Sequence, residues 1–85
     1  MSQFKATINV TLKKSVLDPQ GKTVLHALES MGFEDAKDLR VGKYFELVLD
    51  QPEKEKAEAS VRQMCDRLLT NPVIEDYTFE LEPAS

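Results

Sequence analysis

Val16-Leu17-Asp18-Pro19-Gln20-Gly21, preceded by Lys13 and Lys14, is where an alternating strand gives way to a helix. Asp18 suits the N-cap, because its carboxylate can accept hydrogen bonds from the orphan amides of a first helical turn. Pro19 suits the first helical position, where a missing N–H costs nothing and φ is already fixed. Val16 and Leu17 are placed to fold back on the helix as an apolar staple. Capping chemistry accounts for the turn from strand to helix, but leaves two lysines and a first-turn glycine unexplained.

Upstream, Phe4, Ala6, Ile8, Val10 and Leu12 alternate with Lys5, Thr7, Asn9 and Thr11. This predicts a half-buried strand whose outer face is richer in threonine and asparagine than in charge. Downstream, Val24, Leu25, Leu28 and Met31 fall at helical spacing from Pro19 to Met31. Gly32 is expected to end that helix in the left-handed conformation, with Phe33 closing over Leu28. His26 lies off the stripe and reads as a solvent or flank residue.

Residues 36–50 read as extended, interrupted at Gly42. A hairpin turn at Val41-Gly42-Lys43 is the preferred reading, and one long strand bent at the glycine is the other. Pro52, Glu53 and Glu55 mark a second helix start. Ala57, Val61, Met64, Cys65, Leu68 and Leu69 form its stripe, and Asn71-Pro72 stops it. A last strand is expected from Val73 to Leu81, followed by a loose Pro83-Ala84-Ser85 tail.

The element order is βαββαβ, or βαβαβ if the middle strands are one. The expected fold is an α+β two-layer sandwich of ferredoxin-like type. Two helices would cover one face of a mostly antiparallel sheet, and residues 1–85 would form a single domain. The other sheet face is left bare. Thr11, Tyr44 and Val48 on it are the candidates for a homo-oligomer contact, dimer or tetramer. An 85-residue chain buries only about 60% of its unfolded surface, so such help is in keeping with its size.

The single cysteine rules out an intrachain disulfide and suits a reducing, cytoplasmic setting. The first residues lack a signal-peptide layout and no apolar run reaches membrane-spanning length, so no membrane partner is expected. A net charge of −4, with no tryptophan and no basic stripe carrying aromatics, argues against nucleic acid. The charge is uneven, with lysines 5, 13, 14 and 22 early and Glu75, Asp76, Glu80 and Glu82 late. Adjacent first and last strands would let these complement each other.

A search for chemistry returns little. There is no Ser/His/Asp set, no Cys paired to a His and no cluster with metal-ligand spacing. Cys65 sits on an apolar stripe, and the carboxylate pairs Asp35/Asp38 and Glu75/Asp76 carry no mark of desolvation. Gly21-Lys22 and Gly42-Lys43 are fragments of an anion site without the rest of a P-loop. Lys13, Lys14, Arg40 and Lys43 remain as a set of basic residues that could converge on one edge and meet an acidic partner.

Three blocks carry a resemblance: Lys13 through Gly21, Arg40-Val41-Gly42-Lys43-Tyr44-Phe45-Glu46-Leu47, and Met64 through Tyr77. In this order and at this length the chain closely resembles the PurS family, the small subunit of phosphoribosylformylglycinamidine synthase. Pro72 ahead of Val-Ile-Glu-Asp-Tyr is a departure, acceptable at a helix exit. The resemblance implies a subunit without catalytic, cofactor or metal residues of its own. Its complex converts formylglycinamide ribonucleotide, glutamine and ATP to the amidine. The implied partners are a glutaminase subunit and a large synthetase subunit that holds ATP and Mg, with ammonia passing between them. Lys13, Asp18, Gln20, Arg40 and Lys43 are the expected partner-facing residues. The alternative class is a homodimeric regulatory domain that binds a small metabolite.

Overall fold

A computed structural model describes residues 2–84; Met1 and Ser85, the end of the expected tail, lie outside the described residues. Strand β1 (Ser2–Leu12) is central, flanked by β2 (Gly42–Gln51) and β3 (Glu75–Pro83) in the order β2-β1-β3. Both neighbours run antiparallel to β1, with Phe4 opposite Leu49 on one side and Pro83 on the other. Helix α1 (Pro19–Ser30) links β1 to β2, and α2 (Lys54–Met64) links β2 to β3. The α+β class and the two helices joined to an antiparallel sheet are those expected from the pattern.

The two connections differ in what the strand directions demand. Strands β2 and β3 are parallel to each other across β1, so the chain must travel the length of the sheet between them. Helix α2 does this and packs as it goes. Its Ala57, Val61 and Cys65, spaced by four, meet Phe4, Ala6, Ile8, Val10 and Leu49 in the core. Strands β1 and β2 are antiparallel, so the chain leaves and re-enters at the same end. Helix α1 therefore goes out and residues 31–41 come back, and the molecule is elongated, 52 × 28 × 14 Å. Of the stripe on α1, Leu25 and Leu28 are half-buried, while Val24 and Met31 are exposed.

The end of α1 forms as its residues dictate. Gly32 has φ +96°, and Gly32 and Phe33 donate to the carbonyls of Glu29 and Leu28 at 3.0 Å each. This is the Schellman pattern, in which glycine alone escapes the Cβ penalty.

Three expectations need correction. There is no hairpin at Val41-Gly42-Lys43, and residues 33–41 hold no strand. Phe33, Glu34 and Ala36 bond locally to backbone carbonyls, and further on Leu39 donates to the Asp38 side chain at 2.9 Å and Val41 to the Asp18 carboxylate at 2.8 Å. Gly42 is needed for close approach, since a Cβ there would stand 2.6 Å from the Val10 carbonyl oxygen. Val73 and Ile74 belong to a turn, with Val73 79% exposed, and β3 starts at Glu75. The expected tail is instead tied down: Pro83 ends β3, and the Ala84 amide donates to the Gln3 carbonyl at 3.0 Å.

Helix α2 runs on as a five-residue π turn, Cys65–Leu69. Thr70 then caps it, its hydroxyl and amide both donating to the Cys65 carbonyl, at 2.8 and 2.9 Å. The π turn shifts the last side chains around the axis, which leaves Leu68 exposed although it shares the spacing of the stripe.

Candidate partner-binding corner

The corner is built where β1 ends, around a buried carboxylate. Asp18 is 5% exposed and caps α1, one oxygen accepting from the Gly21 amide at 2.9 Å. Its other oxygen accepts from the Val41 amide at 2.8 Å, which sews the returning segment to the start of the helix. The bonds from Val41 and Gly21 hold the carboxyl below its ordinary pKa, since they favour the charged form. Gly21 is the residue that lets the three strands of backbone meet. A Cβ there would stand 2.6 Å from both the Asp18 carboxylate and the Leu39 carbonyl oxygen.

Arg40 adds a second brace. Its Nη2 donates to the carbonyls of Lys13 at 2.9 Å and of Leu12 and Val16 at 3.3 Å. The strand-to-helix loop thus wraps a guanidinium contributed by the returning chain. Lys13 pairs with Asp76 at 2.7 Å, and Lys43 pairs with Glu75 at 3.2 Å. Glu75 also accepts from the Asn71 amide at 2.7 Å; this bond, with Lys43 beside it, holds its carboxyl low. Of the early lysines only Lys13 meets a late acid among the described residues, beside the β1–β3 ladder, whereas Lys5 pairs instead with Glu46 on β2 at 3.1 Å.

All five corner residues, Lys13, Asp18, Gln20, Arg40 and Lys43, come together at one end of the sheet, with different duties. Asp18 and Arg40 are engaged in holding the backbone, and Lys13 and Lys43 have acidic partners. Gln20 is exposed beside Lys43 and Glu75, along a recess of about 390 Å³. Sequence reading took Lys22 only as part of an anion-site fragment with Gly21 and passed over Lys37. With Lys14 they border a second open recess of about 470 Å³ beside Arg40, and none of the three forms an ion pair among the described residues. Lys37 was hidden in a segment read as strand, where its side chain would have belonged to the sheet.

The residues nominated for chemistry are dispersed. Cys65 is fully buried, and that burial pushes its thiol up, away from the reactive thiolate. Asp35 and Asp38 are exposed, Glu75 and Asp76 are engaged with lysines, and His26 stands at the surface 3.7 Å from Glu29. No group of three metal-ligating side chains occurs among the described residues.

Comparison with known proteins decides what kind of domain this is. The PurS family model, described as phosphoribosylformylglycinamidine (FGAM) synthase, matches residues 5–83. The chain belongs to the PurS family. It is 47% identical over 79 residues to the FGAM synthase subunit PurS of Bacillus subtilis, covering 93% of each chain. The crystal structure of PurS from Methanocaldococcus jannaschii, one of the subunits of formylglycinamide ribonucleotide amidotransferase in the purine biosynthetic pathway, superposes with a TM-score of 0.85. There the identity is 38%, over 96% of this chain and 99% of that one. A chain of the PurLQS structure from Thermotoga maritima gives a TM-score of 0.86 at 37% identity, covering 99% and 100%. As a PurS chain, the protein is a small subunit of FGAM synthase, an ATP-dependent ligase complex of purine biosynthesis. No helix among the described residues is long and apolar enough to cross a membrane.

Proposed function

We propose that this chain is the non-catalytic subunit that joins the glutaminase and the synthetase of its complex and helps ammonia pass between them. It does so as a single domain in the cytoplasm, with ATP and Mg held by the large subunit. The observation that carries this reading is its full-length likeness to a chain of an assembled PurLQS structure. The geometry is in keeping with it, because the corner is a platform braced by Asp18 and Arg40. Ammonia that reaches bulk water is protonated and lost as a nucleophile, so a junction that excludes water has a direct chemical use. The family match favours this reading over a metabolite sensor.

Two surfaces follow. The bare sheet face is the proposed homo-oligomer contact, where Tyr44 and Val48 stand 58% and 57% exposed and Thr11 lies on the same face. The corner is the proposed partner contact, with Gln20 and the rims of the two recesses outermost. Asp18 and Arg40 serve it by fixing its shape.

Reconstitution tests the reading. Omitting this chain should abolish glutamine-dependent synthesis and spare synthesis from added ammonium. Equal loss of both would overturn the bridging role. Val48→Glu should lower the mass seen by light scattering, and an unchanged mass would remove the sheet face from consideration.

A further inference from the structure

Strand β3 is an edge, and the hydrogen-bond register shows which of its groups are unused. The amides of Lys13 and Ala84 donate to the carbonyls of Ile74 and Gln3, and these pairs continue the β1–β3 register one step beyond each end of the ladder. In an antiparallel ladder, bonded pairs recur at every second residue. Asp76, Thr78, Glu80 and Glu82 therefore turn their backbone toward β1. Tyr77, Phe79 and Leu81 turn theirs outward, each presenting an N–H and a C=O along the free edge. Pro83 stands next in this outward series and has no N–H, so the edge stops there.

The side chains define what would fit this edge. On the α2 side, half-buried Phe79 and Leu81 form the apolar floor of an open groove of about 730 Å³ whose far wall is the charged face of Lys54, Glu58 and Arg62, with the Arg62 guanidinium 5.5 Å over the Phe79 ring. On the opposite side β3 presents Asp76, Glu80 and Glu82, of which only Asp76 has an ion-pair partner among the described residues. A second copy of β3 is a poor occupant. Antiparallel pairing centred on Phe79 would set Asp76 against Glu82 twice over, and like charges directly opposite destabilise a pair.

We propose that β3 is a docking edge for an extended segment of another protein in which apolar residues alternate with Lys or Arg. The backbone of that segment would bond Tyr77, Phe79 and Leu81. Its apolar residues would enter the groove, and its basic residues would face Glu80 and Glu82. The proposal does not depend on the bridging role, because edge and charge belong to the chain itself.

The test uses the full chain and a capped seven-residue peptide alternating lysine and valine, with an otherwise identical glutamate–valine peptide as control. Hydrogen exchange should slow about tenfold or more at the amides of Tyr77, Phe79 and Leu81 with the lysine peptide and remain unchanged with the control. Leu81→Pro removes an outward N–H that β1 does not use, and should weaken binding about tenfold. The double variant Glu80→Lys, Glu82→Lys lies at exposed positions and should reverse the preference between the peptides. Several results would overturn the proposal: no binding at millimolar peptide, equal binding of both peptides, protection of Tyr44, Glu46 and Val48 on the other edge instead, or β3 amides already protected by self-association of the chain alone.

Discussion

Helices α1 and α2 both place apolar residues at helical spacing, yet Ala57, Val61 and Cys65 are sealed against the sheet while Val24 and Met31 stand 40% and 72% exposed. Composition does not separate them. Strand direction does, because a helix between parallel strands must run back along the sheet, whereas a helix between antiparallel strands need not. Burial of α2 follows from topology, while α1 is anchored at its first turn through Asp18 and Gly21 and half-buries only Leu25 and Leu28 of its stripe. The stripe of α2 is sealed in the core, and Val24 and Met31 of the α1 stripe stay at the surface of the monomer.

That contrast can be broken at several points. Val61→Asp would place an unpaired charge in the core, and should cost about 4 kcal/mol or more. Urea titration of the isolated chain should show little or no folded state, and a folded variant would mean that α2 is not the keystone. Gly21→Ala is next, at about 2 kcal/mol, because its methyl group must displace Asp18 or the Leu39 carbonyl. A neutral result would show that the corner can open without harm to the sheet.

Asp18→Asn sharpens the same point through pH. The folded carboxyl is held below its ordinary value by Val41 and Gly21, so its contribution is present above the unfolded pKa, about 3.9. It is lost as pH falls through the lower folded pKa. The gap in urea midpoint between the native chain and the variant should be full at pH 7 and shrink below pH 4. A gap independent of pH would assign the effect to shape alone. Arg40→Ala should cost about 1 kcal/mol, since the guanidinium is partly solvated and its loss leaves three carbonyls to water. Met31→Asp should change stability by less than about 0.5 kcal/mol while weakening assembly, the reverse of Val61→Asp. Destabilisation of the isolated chain by Met31→Asp would show that α1 packs on its own sheet after all.

Much of this was legible in the residues. The alternation of β1, the Asp18–Pro19 cap and the Gly32 stop are local rules, and each element formed where its rule placed it. Gly42 misled because a glycine required for close approach reads the same as a glycine required for a turn. Residues 36–41 misled because alternating Leu39 and Val41 imitate a strand, while their amides are satisfied by Asp38 and Asp18. The sequence nominated residues that the fold brings to one end of the sheet, and it did not show their division of labour. Nothing in the spacing says that Arg40 reaches back to the carbonyls of Leu12, Lys13 and Val16 across the α1 excursion.

The pairing of β1 also bears on how the chain comes to be folded at all. Of the three strands the central one is synthesised first and satisfied last, since Phe4 faces Leu49 on one side and Pro83 on the other. At typical synthesis rates its second neighbour arrives on the order of ten seconds after it. Every ladder bond of the sheet is long-range in sequence, which favours slow folding. A nascent chain therefore carries Phe4, Ile8 and Val10 incompletely covered until α2 and β3 have been made, an interval in which exposed apolar strand is prone to aggregate.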